Sequence, residues 1–73
     1  MKTYKAAFLH KDTGALDCGF EIQANTDEMA ILLARTEEHR RGRTMELCGL
    51  HEETGRTASG ELIRVVLYER KEG

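Results

Sequence analysis

At 73 residues the chain has room for one domain, and folding at this length buries only about 60% of the surface that the extended chain exposes. With no Trp, two Phe and two Tyr, the interior must be built from aliphatic and Met side chains, and a second copy that adds burial is a natural remedy for so marginal a core. Eleven basic residues against thirteen acidic ones, a net charge of −2, give no global field for holding nucleic acid, and no segment approaches membrane-spanning length.

The first apolar run, near Tyr4 to Phe8, is too short for a secretory signal, so a cytoplasmic protein is expected. From Tyr4 to His10 and from Leu16 to Ala24, side chains of one kind recur at every second position: Tyr4, Ala6, Phe8, His10, then Leu16, Cys18, Phe20, Ile22, Ala24. That period belongs to half-buried strands. Lys11-Asp12-Thr13-Gly14 between them suits a short turn whose glycine takes the left-handed conformation. With Lys11 opposite Ala15, His10 meets Leu16, Phe8 meets Cys18, Ala6 meets Phe20 and Tyr4 meets Ile22. Every apolar alternate then faces one side, which predicts a hairpin over 3–24.

Asn25-Thr26-Asp27-Glu28 opens a helix over 26–41. Asn25 is placed to cap it, Glu28 to reach back, and both acids sit at the positive end of the dipole. Met29, Leu32, Leu33 and Thr36, flanked by Ala30 and Ala34, form the expected buried stripe, with Ile31 at its margin. Gly42 is placed to end the helix.

The second hairpin is predicted over 43–70. Met45, Leu47 and Gly49 against Ile63, Val65 and Leu67 make its inward face, and Cys48, Leu50, Leu62, Val66 and Tyr68 the opposite one. A strand apolar on both sides is expected to be central or covered. The stretch from Leu9 to Gly14, Leu-His-Lys-Asp-Thr-Gly, recurs forty-one positions later as Leu-His-Glu-Glu-Thr-Gly from Leu50 to Gly55. Its residue types are those of turn chemistry: glycine for the left-handed position, Thr and the acid for local backbone, His to close the strand. Thr54 to Gly60 reads as a plain long hairpin loop.

Three constellations carry candidate chemistry. Cys18, Cys48, His10 and His51 offer thiol and imidazole ligands for zinc, but on regular strands Cys18 points inward and Cys48 outward, and there is no Cys-x-x-Cys pair. No metal or cofactor is therefore expected, and in a reducing compartment both thiols stay free. His10 and His51 stand beside carboxylates, as a general base would, yet no nucleophile elbow or phosphate loop accompanies them, so no catalytic residue and no enzyme is expected. Arg35, His39, Arg40, Arg41 and Arg43 cluster at the helix C-terminus, where cations complement the dipole. They are also the candidate site for nucleic acid or another anionic partner.

The expected fold is α+β: ββαββ, two β-hairpins forming a four-stranded, mainly antiparallel sheet with one helix packed on one face and an open strand order. Its outline resembles that of many small accessory proteins of phages and mobile elements, including inhibitors of host defence complexes, a likeness of architecture that transfers no residues. The expected function is a non-enzymatic protein-binding module acting by surface complementarity, a homodimer or the ligand of a protein partner. Cys48, Leu50, Leu62, Arg64, Val66 and Tyr68 on the second hairpin are its candidate contact residues. Anion binding through the basic helix end is the alternative, and a small metal- or thiol-dependent enzyme the second alternative.

Overall fold

The structure is a computed structural model that describes residues 1–54 and 63–68. Its elements are β1 (Lys2–His10), β2 (Leu16–Ala24), α1 (Asp27–Arg41), β3 (Met45–Glu53) and β4 (Ile63–Tyr68). The strands form one antiparallel sheet in the order β2-β1-β3-β4, and α1 packs on one face of it, an α+β fold. The pairing of β1 with β3 joins the hairpins and settles the strand order. Among the described residues no helix is long and apolar enough to cross a membrane. Residues 55–60 of the predicted loop, the candidate Leu62 and residues 69–70 of the predicted hairpin lie outside the described residues.

The core lies between α1 and the sheet. Tyr4, Ala6 and Phe8 of β1, Leu47 and Leu50 of β3 and Ala30 and Ala34 of α1 are essentially closed to solvent, with Ile22, Ala24 and Met45 beside them. Bulk comes from the sheet, and the helix contributes small residues that let it approach.

The first hairpin keeps Tyr4 opposite Ile22 and Ala6 opposite Phe20, as the alternation predicts, but Phe8 meets Asp17 rather than Cys18, and Leu9 rather than His10 meets Leu16. The turn is one residue longer than expected, since His10 N–H donates to Ala15 O at 2.8 Å. Gly14 takes the predicted left-handed conformation at φ 74°. A one-residue slip would turn the whole β2 pattern over. An extra residue at Cys18-Gly19 absorbs it, so Phe20, Ile22 and Ala24 still face the core. The cost falls on the residues before the bulge: Cys18 and Leu16, expected inward, are exposed, and Asp17 takes the inner position.

The second hairpin departs in the same way. Between Ala7 opposite Gly49 and Phe8 opposite Leu47, β3 carries an extra residue at Cys48, which swings Leu50 and Glu52 inward. Leu50, expected outside, is 1% exposed. A further shift in β4 at Val66 sets Leu67 against Leu50 and turns Val65 out beside His51. Val65, expected inside, is exposed, and Val66, expected outside, packs against the core. The two His-containing repeats are consequently not equivalent: His10 ends β1, whereas β3 runs on past His51 to Glu53.

The helix presents the largest difference. Thr26, not Asn25, is the N-cap, its Oγ1 accepting from Met29 N–H at 3.2 Å, and Gly42 ends the helix as predicted, at φ 85°. The face against the sheet runs Asp27, Ala30, Ala34, Glu37, Arg41, spaced three and four residues apart, whereas Met29, Leu32, Leu33 and Thr36, the expected buried stripe, are exposed. Ile31, expected at the margin, packs against the core. Space above the sheet is already filled by Tyr4, Phe8 and Leu47, and a close-packed interior has no room for a second layer of large side chains.

Candidate functional site

Polar anchors at both ends fix the rotation of α1. At its start, Tyr4 Oη donates to Asp27 Oδ1 at 2.8 Å and Arg64 Nη2 donates to the same oxygen at 2.7 Å, while Arg64 Nε donates to Glu52 Oε1 at 3.1 Å. One element supplies each member: β1, α1, β4 and β3. The Arg64 and Tyr4 hydrogen bonds hold the Asp27 carboxyl below the usual range. Burial, then the Asp27 carboxylate, pushes the Tyr4 phenol up to about 12. A phenol so raised is farther from giving up its proton at neutral pH, so the cluster works as a clasp.

At the far end the Arg41 guanidinium lies 4.3 Å from the centroid of the Phe8 ring and 5.3 Å from that of Phe20. Its edge donates to Glu37 Oε2 at 2.8 Å and to Asp17 Oδ2 at 3.1 Å. The planar cation closes the core over two aromatic faces while its donors are satisfied by carboxylates. Asp17 reaches Arg41 only because the Cys18-Gly19 bulge turns it inward. Arg40 donates to both oxygens of Glu37, at 2.8 and 2.7 Å.

The five basic candidates therefore separate. Arg40 and Arg41 are engaged by Glu37 and Asp17. Arg35, His39 and Arg43, joined by Lys11, line an open groove of about 600 Å³ that also contains Glu38 and Glu46. Two of these cations face acids there: Arg35 lies 3.6 Å from Glu38 and Lys11 3.8 Å from Glu46. Glu38 also accepts from Leu47 N–H at 2.6 Å, which ties the groove floor to β3. Lys11 was not singled out by sequence; its contact with the helix end depends on Lys11 N–H donating to Thr44 O at 2.9 Å.

The six candidates for partner contact also separate. Leu50 belongs to the core, Val66 and Leu67 pack against it, and Arg64 is held in the Asp27 clasp on the helix side. Tyr68 lies opposite Gly49, and Leu62 is outside the described residues. Of the six, Cys48 and Leu50 line a shallow, largely apolar groove of about 200 Å³ on the sheet face away from the helix, with Leu16, Ala7, His51 and Val65; Leu50 is otherwise closed to solvent. Leu16 and Val65, 62% and 63% exposed, are its rim.

Cys48 Sγ donates to Ala7 O at 3.4 Å, and burial pushes its thiol above the usual range, the opposite of an activated nucleophile. Cys18 and Cys48 are both free. They flank β1, and strands two apart lie about 9.5 Å from each other, beyond disulfide reach without backbone movement. Among the described residues no three His, Cys, Asp or Glu side chains gather as metal ligands would.

The residues that sequence reasoning placed inside, and that the fold turns out, make the most extensive apolar surface on the helix. Met29, Leu32 and Leu33 are 47%, 58% and 38% exposed. With Thr36 they form a ridge over two turns of α1. The signal that locates them is the competing stripe Asp27-Ala30-Ala34-Glu37-Arg41, in which small residues between charged ends mark the face that packs closely. Comparison with known protein families, with curated proteins and with solved structures gives no match to this chain.

Proposed function

We propose that the protein is a non-enzymatic binding module that acts by surface complementarity, with the outer face of α1 as its main contact surface. The observation that carries this reading is the inverted helix: Ala30 and Ala34 lie against the sheet while Met29, Leu32 and Leu33 face solvent. Exposed apolar side chains set singly are ordinary, but three on adjoining turns form a continuous patch of the kind that marks interaction sites. A domain that presents one such ridge acts by covering a complementary protein surface, in keeping with the accessory and inhibitor proteins its outline resembles.

Affinity capture from the native source with the wild-type chain and with Leu32→Glu tests the reading. A discrete protein retained by the wild type and lost with the variant, while circular dichroism shows an unchanged fold, is the expected result. Equal retention by both would overturn the assignment of the surface.

A second reading rests on the groove at the helix end, where Lys11, Arg35, His39 and Arg43 outnumber Glu38 and Glu46. It predicts binding of an anionic partner that weakens with salt and with the double substitution Arg35→Ala, Arg43→Ala. Binding indifferent to salt would remove it.

A further inference from the structure

Deepening the reading of the α1 ridge as a contact surface, and resting on it, we propose that the occupant is a second copy of this chain, its α1 packed antiparallel against the first. The ridge has the spacing of a single helix-packing seam, Met29, Leu32, Leu33 and Thr36, residues i, i+3, i+4 and i+7, and covers about 100° of the helix surface. Its midpoint falls between Leu32 and Leu33. A two-fold axis there, perpendicular to both helices, sets Leu32 against Leu33 of the second copy and Met29 against its Thr36. The interface is then self-complementary, as an isologous dimer requires.

Charge follows the same symmetry. Glu28, Arg35 and His39 succeed one another along one flank of the ridge, beside Leu32. In an antiparallel pair with this axis, each flank meets the same flank of the other helix. Glu28 of one copy then falls between Arg35 and His39 of the other, once on each side of the axis. Arg35 lies 3.6 Å from Glu38 on the surface. Glu28 of the first turn lies alongside His39 of the last turn of its counterpart, and the two helix dipoles oppose, both favourable. The apolar centre and the charged flank thus independently select one register. Four side chains a copy make a small interface, so the association is weak and depends on concentration.

Sedimentation equilibrium on the full chain, from about 10 μM to about 1 mM, tests this. The expected result is a weight-average mass that rises toward twice the monomer for the wild type. Leu32→Glu is expected to stay monomeric with an unchanged far-UV spectrum, and Val65→Glu, on the opposite sheet face, to dimerise like the wild type. Glu28→Lys and Arg35→Glu should each weaken association at least about tenfold, because like charges then meet twice. A one-to-one mixture of the two should restore it, since the two contacts of the mixed pair become one Lys–Glu and one Arg–Glu pair. A wild type that stays monomeric throughout, loss of the dimer in Val65→Glu but not Leu32→Glu, or a mixture no better than either variant alone would each overturn the proposal. If the wild type is monomeric yet Leu32→Glu abolishes capture of a different protein, the second copy is excluded while the ridge remains a contact surface.

Discussion

Glu37 shows how a single carboxylate is put to structural use. It is buried on the sheet side of α1, and the guanidinium Nε atoms of Arg40 and Arg41 each donate to it at 2.8 Å. Those hydrogen bonds hold its carboxyl down at about 2, from an ordinary 4.5, and Arg41 holds Asp17 down as well. As pH falls between the two values, the unfolded chain takes up a proton at Glu37 before the folded one does. The contribution is therefore whole above about 4.5 and is lost as pH falls through about 2. Thermal melts from pH 7 to pH 2 should show the melting temperature dropping across that window, with a shallower drop for Glu37→Gln. An equally steep drop in the variant would mean that other carboxylates, Asp17 and Asp27 foremost, carry the acid sensitivity.

At the scale of the element, α1 is amphipathic in an unusual sense: it has two apolar faces, one small and one bulky. The small one packs because β1 and β3 already supply the large side chains, and the clasps at Asp27 and Arg41 hold the rotation. Stability should follow this arrangement. Leu50→Ala, which empties a closed site in the core, is expected to cost about 2–5 kcal/mol, enough to unfold much of a domain this small. Leu32→Ala, on the exposed ridge, is expected to cost less than about 1 kcal/mol in the monomer. Denaturant unfolding of both variants at low protein concentration measures the contrast, and comparable losses would argue that the bulky stripe is buried after all. The strands offer the parallel lesson, because bulges at Cys18-Gly19, Cys48 and Val66 each exchange inner and outer residues without ending the strand.

For the whole molecule, the order β2-β1-β3-β4 makes β1 the strand with partners along both sides for nearly its full length, with Tyr4, Ala6 and Phe8 sealed beneath the helix. The amides of β1 that point into the two ladders should therefore exchange with solvent slowest, near the global unfolding rate, and the outer amides of the edge strand β2 fastest. Hydrogen exchange followed by nuclear magnetic resonance reads this directly; uniform protection across the sheet would mean that another element covers the β2 edge. The two candidate contact surfaces, the α1 ridge and the shallow groove rimmed by Leu16 and Val65, lie on opposite sides of this frame. One domain therefore offers two separable faces.

The amino-acid sequence by itself determines the element order ββαββ, the positions of the Gly14 turn and the Gly42 helix end, the antiparallel hairpin of β1 and β2 and the inward set Tyr4, Ala6, Phe8. These depend on local chemistry: period-two alternation, glycine at left-handed positions, acids at a helix start. Strand order, the three bulges and the rotation of α1 are decided only in the tertiary structure. A bulge needs a partner strand to be defined, and a helix with two plausible faces chooses between them by the volume the sheet leaves free. That choice buries Ala30 and Ala34, leaves Met29, Leu32 and Leu33 in solvent, and moves the main candidate contact surface from the second hairpin to the helix.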